Sequence, residues 1–172
     1  MPFTPFHWGP ALLIGMLLFP IFDLPALFVS SVIIDLEGIC ILMSGSPLPL
    51  HGFFHSYLGA SILGILMAII VYYLYRWLRK IMKLFMLEQK SSFKRIFYTS
   101  LFGAYSHVFL DSFLYGEMNP FYPIYGNPFL GLISANGIYW FSIVSFPLGL
   151  ALYAYRLFVA FRKSGKWTIS FR

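Results

Sequence analysis

Charged residues are scarce in this chain: Asp, Glu, Lys and Arg together make up 10% of its 172 residues. A soluble domain carries about 25%, so a water-exposed globular surface is excluded from the start. Acidic residues number only six and histidines four. Cysteine is almost absent: the single thiol, Cys40, has no internal disulfide partner and cannot build a cysteine-based zinc motif. The opening MPFTPFHWGP has no basic run ahead of its apolar stretch, so no cleavable leader is expected. A glycine-rich phosphate loop, a Ser/His/Asp nucleophile arrangement, internal repeats and low-complexity tracts are missing as well.

Apolar and aromatic side chains are abundant, at 59% and 21% of the chain. They gather into five segments, roughly 9–22, 24–43, 53–78, 95–115 and 134–161. Several approach the roughly 20 apolar residues that cross a bilayer core. The expected fold is all-α: a polytopic transmembrane helical bundle in a single domain over 1–172, with four or five membrane segments. The first segment is short, broken by Pro20 and followed by Asp23 and Pro25, which fits a half-span or re-entrant piece. The third is the cleanest span, with Gly59 and Gly64 permitting close helix approach.

The basic residues orient these segments. Arg76, Arg79, Lys80, Lys83, Lys90, Lys94 and Arg95 crowd in and around a linker at 79–94, and Arg156, Arg162, Lys163, Lys166 and Arg172 crowd the C-terminus. The positive-inside rule places both groups on the cytoplasmic side. The net charge of +6 is therefore an orientation signal, and no nucleic-acid partner is expected. Segment 53–78 then runs inward, 95–115 outward and 134–161 inward, with an outer loop at 116–133. His107 falls 12 residues past Arg95, about 18 Å along a helix, and Asp111 one turn further. His51 and His55 lie at the outer end of the third segment, Asp35 and Glu37 at similar depth if the second runs outward, and His7 on that same side.

Ionisable side chains in membrane segments are costly, and they mark function by default. His51/His55 and His107/Asp111 are i, i+4 pairs, so on helices each pair projects from one face. Together they offer three imidazoles and a carboxylate, enough for one divalent ion. Asp35 and Glu37 are i, i+2 and diverge on a regular helix, so both can ligate only if the segment breaks near Gly38. Otherwise one of them is a base or hydrogen-bond partner behind the ligands. Ser56, Ser106 and Ser112 flank the candidates and either orient imidazoles or line a helix-packing seam. Tyr115, Asn119 and Asn127 lie in or beside YGEMNPFYPIYGNP, an ordered non-helical connection suited to a lid, in which Glu117 reads as solvated.

In order along the chain come His7, then Asp35-Leu36-Glu37, then HGFFHS at 51–56, then GAYSHVFLDS at 103–112 followed by MNPFYPIYGNP. In that joint pattern the chain resembles the LexA-regulated, inner-membrane-bound metal-dependent hydrolase family of bacteria and archaea over most of residues 1–130. HGFFHS departs from the family's usual H-R-G-x-T-H-S by lacking the basic residue and by carrying Phe54 where Thr is common. The histidines with an HxxxD element are also similar to zinc-dependent phospholipase C. The resemblance implies a prokaryotic cytoplasmic membrane protein and phosphoester hydrolysis at two or more metals.

The expected activity is hydrolysis by metal-activated water. His7, Asp35, Glu37, His51, His55, His107 and Asp111 are the expected ligands, and Asp35 and Glu37 the expected catalytic carboxylates. A nitrogen-rich set favours one or two Zn²⁺ ions. A site at outer-leaflet depth favours a lipid-like or amphiphilic substrate, with a phosphoester first. Two non-enzymatic readings stand beside this one. A metal carrier needs a polar path inward, but 62–75 and 95–104 are almost wholly apolar or aromatic apart from Thr99 and Ser100, and a bis-histidine haem protein has no use for Asp35 or Asp111. A membrane scaffold would pair these groups with one another as polar glue between helices.

Overall fold

The computed structural model describes residues 5–164, and every regular element among them is helical. The order is α1 (Pro5–Leu17), α2 (Leu24–Ser30), a 3₁₀ turn at Ile33–Asp35, α3 (Leu36–Ser44), a second 3₁₀ turn at Phe53–His55, α4 (Tyr57–Leu84), α5 (Phe93–Ser112) and α6 (Ala135–Ser164). Three stretches are long and apolar enough to cross a membrane: Leu24–Ser44, Tyr57–Leu84 and Ala135–Arg162. With 13 residues, α1 reaches about 20 Å, short of the roughly 30 Å hydrocarbon core. α5 has the length at 20 residues, but Thr99, Ser100, Ser106, His107, Asp111 and Ser112 dilute its apolar character. Five of these six are buried, so α5 turns its polar side into the protein.

Local chemistry sets where the helices start. The Asp23 carboxylate accepts the Ala26 N–H at the head of α2, with Pro25 in the first turn. Ser56 caps α4 by accepting from Gly59 N–H, and Ser92 caps α5 by accepting from Arg95 N–H. α4 runs past the expected end at 78 to Leu84, so half of the basic 79–94 stretch is helical and the connection to α5 is short. Lys166, Arg172 and the Lys163 side chain lie outside the described residues.

The second segment does break, but ahead of Asp35; the expected break point, Gly38, lies inside α3. Asp35 N–H bonds to the Val32 carbonyl at 3.1 Å, three residues back, where a continuous helix would take the Ser31 carbonyl. His51 and His55 likewise stand on no regular helix: they precede α4, with His55 closing the second 3₁₀ turn.

α2, α4 and α5 pack around small and β-branched side chains, Ala26, Ala68, Val71 and Ile96 deep in the bundle and Ile34, Ala60, Ala104 and Val108 nearer the site. α5 lies antiparallel to α4, with Tyr105 OH 2.7 Å from Ser61 Oγ and Phe93 beside Tyr72. It lies parallel to α2: Asp23 N–H bonds Thr99 Oγ1 near one end, and the Ser31 carbonyl meets His107 nearer the other. At Gly103 an added Cβ would sit 3.0 Å from the Leu27 carbonyl oxygen, so glycine lets the end of α2 reach His107. α1 runs parallel to α6, matching Phe6 to Tyr139, Gly9 to Ser142 and Phe19 to Arg156. The starts of α1, α4 and α6 and the ends of α2 and α5 thus gather at one end of the bundle. Large apolar side chains on the outer faces of α4 and α6, among them Leu66, Tyr73, Trp77, Trp140, Leu148 and Phe158, are exposed, as lipid-facing surfaces are.

The α1–α6 contact carries His7 into position, and Gly9 makes it possible: a Cβ there would lie 2.2 Å from the Ser142 carbonyl oxygen. We expect Gly9→Val to force the two helices apart and lower stability by about 1–3 kcal/mol. Thermal unfolding in detergent checks this; an unchanged melting temperature would contradict the packing described.

Candidate metal centre

Seven ionisable side chains converge where these helix ends meet. His7 enters on the first turns of α1, Asp35 on the 3₁₀ turn between α2 and α3, and His51 and His55 from the segment before α4. His107 and Asp111 stand on one face of α5, as their spacing requires. Glu37, one turn into α3, lies behind His55. His107, Asp111 and His55 are each no more than 1% exposed, and His7 and His51 are also buried.

Asp111 is the hub. One carboxylate oxygen lies 3.3 Å from His7 Nε2 and the other 3.3 Å from His107 Nε2, which is in turn 3.5 Å from Asp35 Oδ1. His7, Asp35, His107 and Asp111 each bring one donor atom into a group whose members all lie within 4.8 Å of one another, and His51, His55 and Asp111 form a second group by the same measure. Both groups contain Asp111. The rings crowd together, His7 stacking on His107 at 3.9 Å between centroids and His51 standing edge-on to His55 at 4.8 Å.

Three of the imidazoles are held from behind through Nδ1. His107 Nδ1 lies 2.8 Å from the Ser31 carbonyl, His55 Nδ1 2.8 Å from Glu37 Oε2 and His51 Nδ1 2.6 Å from Glu117 Oε1. A carbonyl only accepts, so Nδ1 of His107 carries a proton and Nε2 is the nitrogen that faces the carboxylates. Carboxylates do the same for His55 and His51. This is the arrangement by which proteins orient histidine ligands and raise their basicity. On the inward side, His55 Nε2, His107 Nε2, both His7 nitrogens and Asp111 Oδ1 are buried without a hydrogen-bond partner. Unsatisfied buried polar atoms are costly, and here they face one another. The donor chemistry, imidazole nitrogens with carboxylate oxygens, suits Zn²⁺ or a similar divalent ion.

Six of the seven expected ligands, His7, Asp35, His51, His55, His107 and Asp111, are members of these two groups. Glu37 is in neither: one oxygen meets His55 Nδ1, and both accept from the Phe54 N–H at 3.1 and 3.2 Å. Asp35 and Glu37 diverge as their spacing requires, because α3 is regular beyond Asp35. The serines act in packing. Ser106 donates to the Gly103 carbonyl, Ser112 to that of Phe109 and Ser56 to that of Phe53.

Glu117, expected in solvent, is exposed at 43% and in addition holds His51. Burial alone would raise its carboxyl, yet the hydrogen bond with His51 and a backbone bond within its own residue hold it below the ordinary carboxylate value. Its sequence signal was faint: it is the sole acidic residue between Asp111 and the C-terminus. Tyr115 stacks on His51 at 3.7 Å, and Asn127 ties the loop down by donating to the Ser112 and Tyr115 carbonyls. The loop after α5 therefore forms one wall of the site.

No family model, curated protein or solved structure matches the chain. The functional reading accordingly stands on the geometry of these side chains.

If Glu37 acts through His55, Glu37→Gln should weaken divalent-metal affinity about 10–100-fold while leaving the number of sites unchanged. Titration of metal-stripped protein with Zn²⁺ measures both. An altered stoichiometry would identify Glu37 as a ligand in its own right.

Proposed function

We propose that this protein is a membrane-embedded metal-dependent hydrolase acting on a phosphoester of a lipid-like or amphiphilic substrate. The observation that carries the reading is the convergence of buried Nε2 atoms with Asp111 at their centre, three of the rings oriented from behind. Asp111 belongs to both donor groups, so one divalent ion could be held by His7, Asp35, His107 and Asp111 and a second by His51, His55 and Asp111. An ion held there by His51, His55 and Asp111 alone would keep room for a water, as catalytic zinc sites do. A divalent ion bound there supplies a water of near-neutral pKa and polarises the scissile group.

The chain's own residues divide the remaining work. Glu37, Glu117 and the Ser31 carbonyl fix ring orientation and tautomer, so the donor set is preorganised. Both Glu37 oxygens are engaged with the Phe54 N–H and His55 Nδ1, so Glu37 acts by holding His55. An apolar groove of about 250 Å³ adjoins this end, lined by Trp8, Phe28, Val32, Leu36 and Ile39 among others. Trp8 follows His7 and Leu36 follows Asp35, so a hydrocarbon chain in the groove would end beside the donor atoms. This supports an amphiphilic substrate.

We read α1, the 24–44 segment, α4, α5 and α6 as four or five membrane segments, the number turning on whether α1 spans. The basic end faces the cytoplasm by the positive-inside rule, and the donor cluster then lies toward the outer face of a prokaryotic cytoplasmic membrane. A scaffold reading has His7 and His107 paired with Asp111 at 3.3 Å, but it leaves His55 Nε2 and His7 Nδ1 buried without a partner. A bis-histidine haem site is disfavoured by His7 and His107 stacking at 3.9 Å, which leaves no room for a macrocycle between them.

Elemental analysis of the purified protein should find two divalent ions per chain, both lost on chelation, with hydrolysis of a phospholipid phosphoester in nanodiscs lost and then restored by Zn²⁺. His107→Ala and Asp111→Ala should each lose metal and reduce hydrolysis to background. Stoichiometric metal surviving both substitutions would end this reading, and so would hydrolysis indifferent to chelation.

A further inference from the structure

The far end of the bundle carries a second polar feature of opposite charge. Every Lys and Arg of the described residues belongs to the end of α4, the 85–95 connection with the start of α5, or the last turns of α6. The acidic residues at this end are already engaged: Arg79 bonds Glu88, and Asp23 accepts from Ala26 N–H and the Ser91 hydroxyl. The other four carboxylates, Asp35, Glu37, Asp111 and Glu117, stand at the donor cluster.

A cavity of about 290 Å³ opens at the basic end, lined by Phe19, Pro20, Gln89, Lys90, Arg95 and Arg156, with Glu88 also present. Its parts are held in place. Gln89 is buried and fully used: its carbonyl accepts from Leu24 N–H, and its amide donates to the Phe19 and Phe22 carbonyls. Arg95 donates to the same two carbonyls at 2.7 and 2.5 Å, while its Nε is buried without a partner. The Arg156 guanidinium lies 3.8 Å above the Phe19 ring. Three cations thus share one half-buried cavity whose only carboxylate belongs to Arg79.

We propose that this cavity binds the phosphate of an anionic phospholipid headgroup. Guanidinium groups recognise phosphate oxygens through paired N–H donors, and basic pockets between membrane helices take acidic lipid headgroups. The source is a lipid because the cavity is floored by Phe19 and Pro20 and flanked by α6, whose outward face bears exposed Leu148 and Tyr155 along which acyl chains lie. The site lies at the opposite end of α1 from His7, so lipid here is an anchor or regulator distinct from the substrate.

The test uses full-length protein in detergent, with lipid retention read by native mass spectrometry against phosphatidylglycerol and phosphatidylcholine. Lys90→Gln and Arg156→Gln remove charge without uncapping the backbone carbonyls that Arg95 holds. Wild type should prefer phosphatidylglycerol, and each substitution should reduce that preference about fivefold, the effect of roughly 1 kcal/mol per cation. Arg156→Lys should largely restore it. Melting temperature and metal content should be unchanged in all variants, which separates this proposal from the hydrolase reading. Equal retention of the two lipids by wild type would overturn it. So would an undiminished preference in the double variant, or stabilisation by inorganic phosphate with no retention of phosphatidylglycerol.

Discussion

Asp111 is the residue on which the rest of this structure depends. Its carboxylate is about 1% exposed and lies between two imidazoles with one oxygen unbonded. An ionised carboxylate removed from water is tolerated only beside compensating positive charge or several donors. The fold answers by bringing histidines from two other stretches of chain, α1 and the segment before α4, to join His107 of its own helix. α5 is central because it carries this group, and its polar face, a weakness in a helix meant to face lipid, becomes the surface against which α2 and α4 pack.

The same constraint accounts for the irregular backbone nearby. Non-helical chain in a membrane is tolerated where it is buried in protein or lines a cavity. The break at Ser31–Asp35 and the 3₁₀ turn at Phe53–His55 both occur against the donor cluster. The first frees the Ser31 carbonyl for His107 and the second sets His55 against Glu37. Both distortions therefore give their hydrogen-bonding capacity to orienting an imidazole.

How much of this could be read from the residues alone follows from the range of the interaction. His107 and Asp111 were legible because both belong to one helix and i, i+4 spacing decides their geometry. His51 and His55 have the same spacing and also converge, although on a turn, so there the spacing pointed to the right pair through the wrong element. The divergence of Asp35 and Glu37 followed from helical geometry, but not the position of the break, which a hydrogen bond to His107, 76 residues away, decides. Glu117 is exposed as read, but its contact with His51 was not legible for a similar reason: its loop folds back over 66 residues to reach His51. The membrane helices show the same division. Length and hydropathy identify the 24–44 stretch, α4 and α6, whereas α5, read as a span by its length, carries inward-facing polar groups that dilute its apolar character.

The separation of charge along the bundle completes the physical picture. Carboxylates and histidines occupy one end and cations the other, joined by apolar helix faces. In a membrane, the positive-inside rule would favour the basic end on the cytoplasmic side. The acidic end then needs positive charge of its own. With no Lys or Arg described there, four carboxylates are left facing imidazoles alone. A divalent ion, as proposed above, would supply that charge in the smallest volume and satisfy the unpartnered nitrogens at the same time. Metal binding at such a site is part of the folding free energy. The four stretches of chain that supply the donor groups, α1, the 33–35 turn, the segment before α4 and α5, would then be held together by an ion bound there, as the proposed function requires.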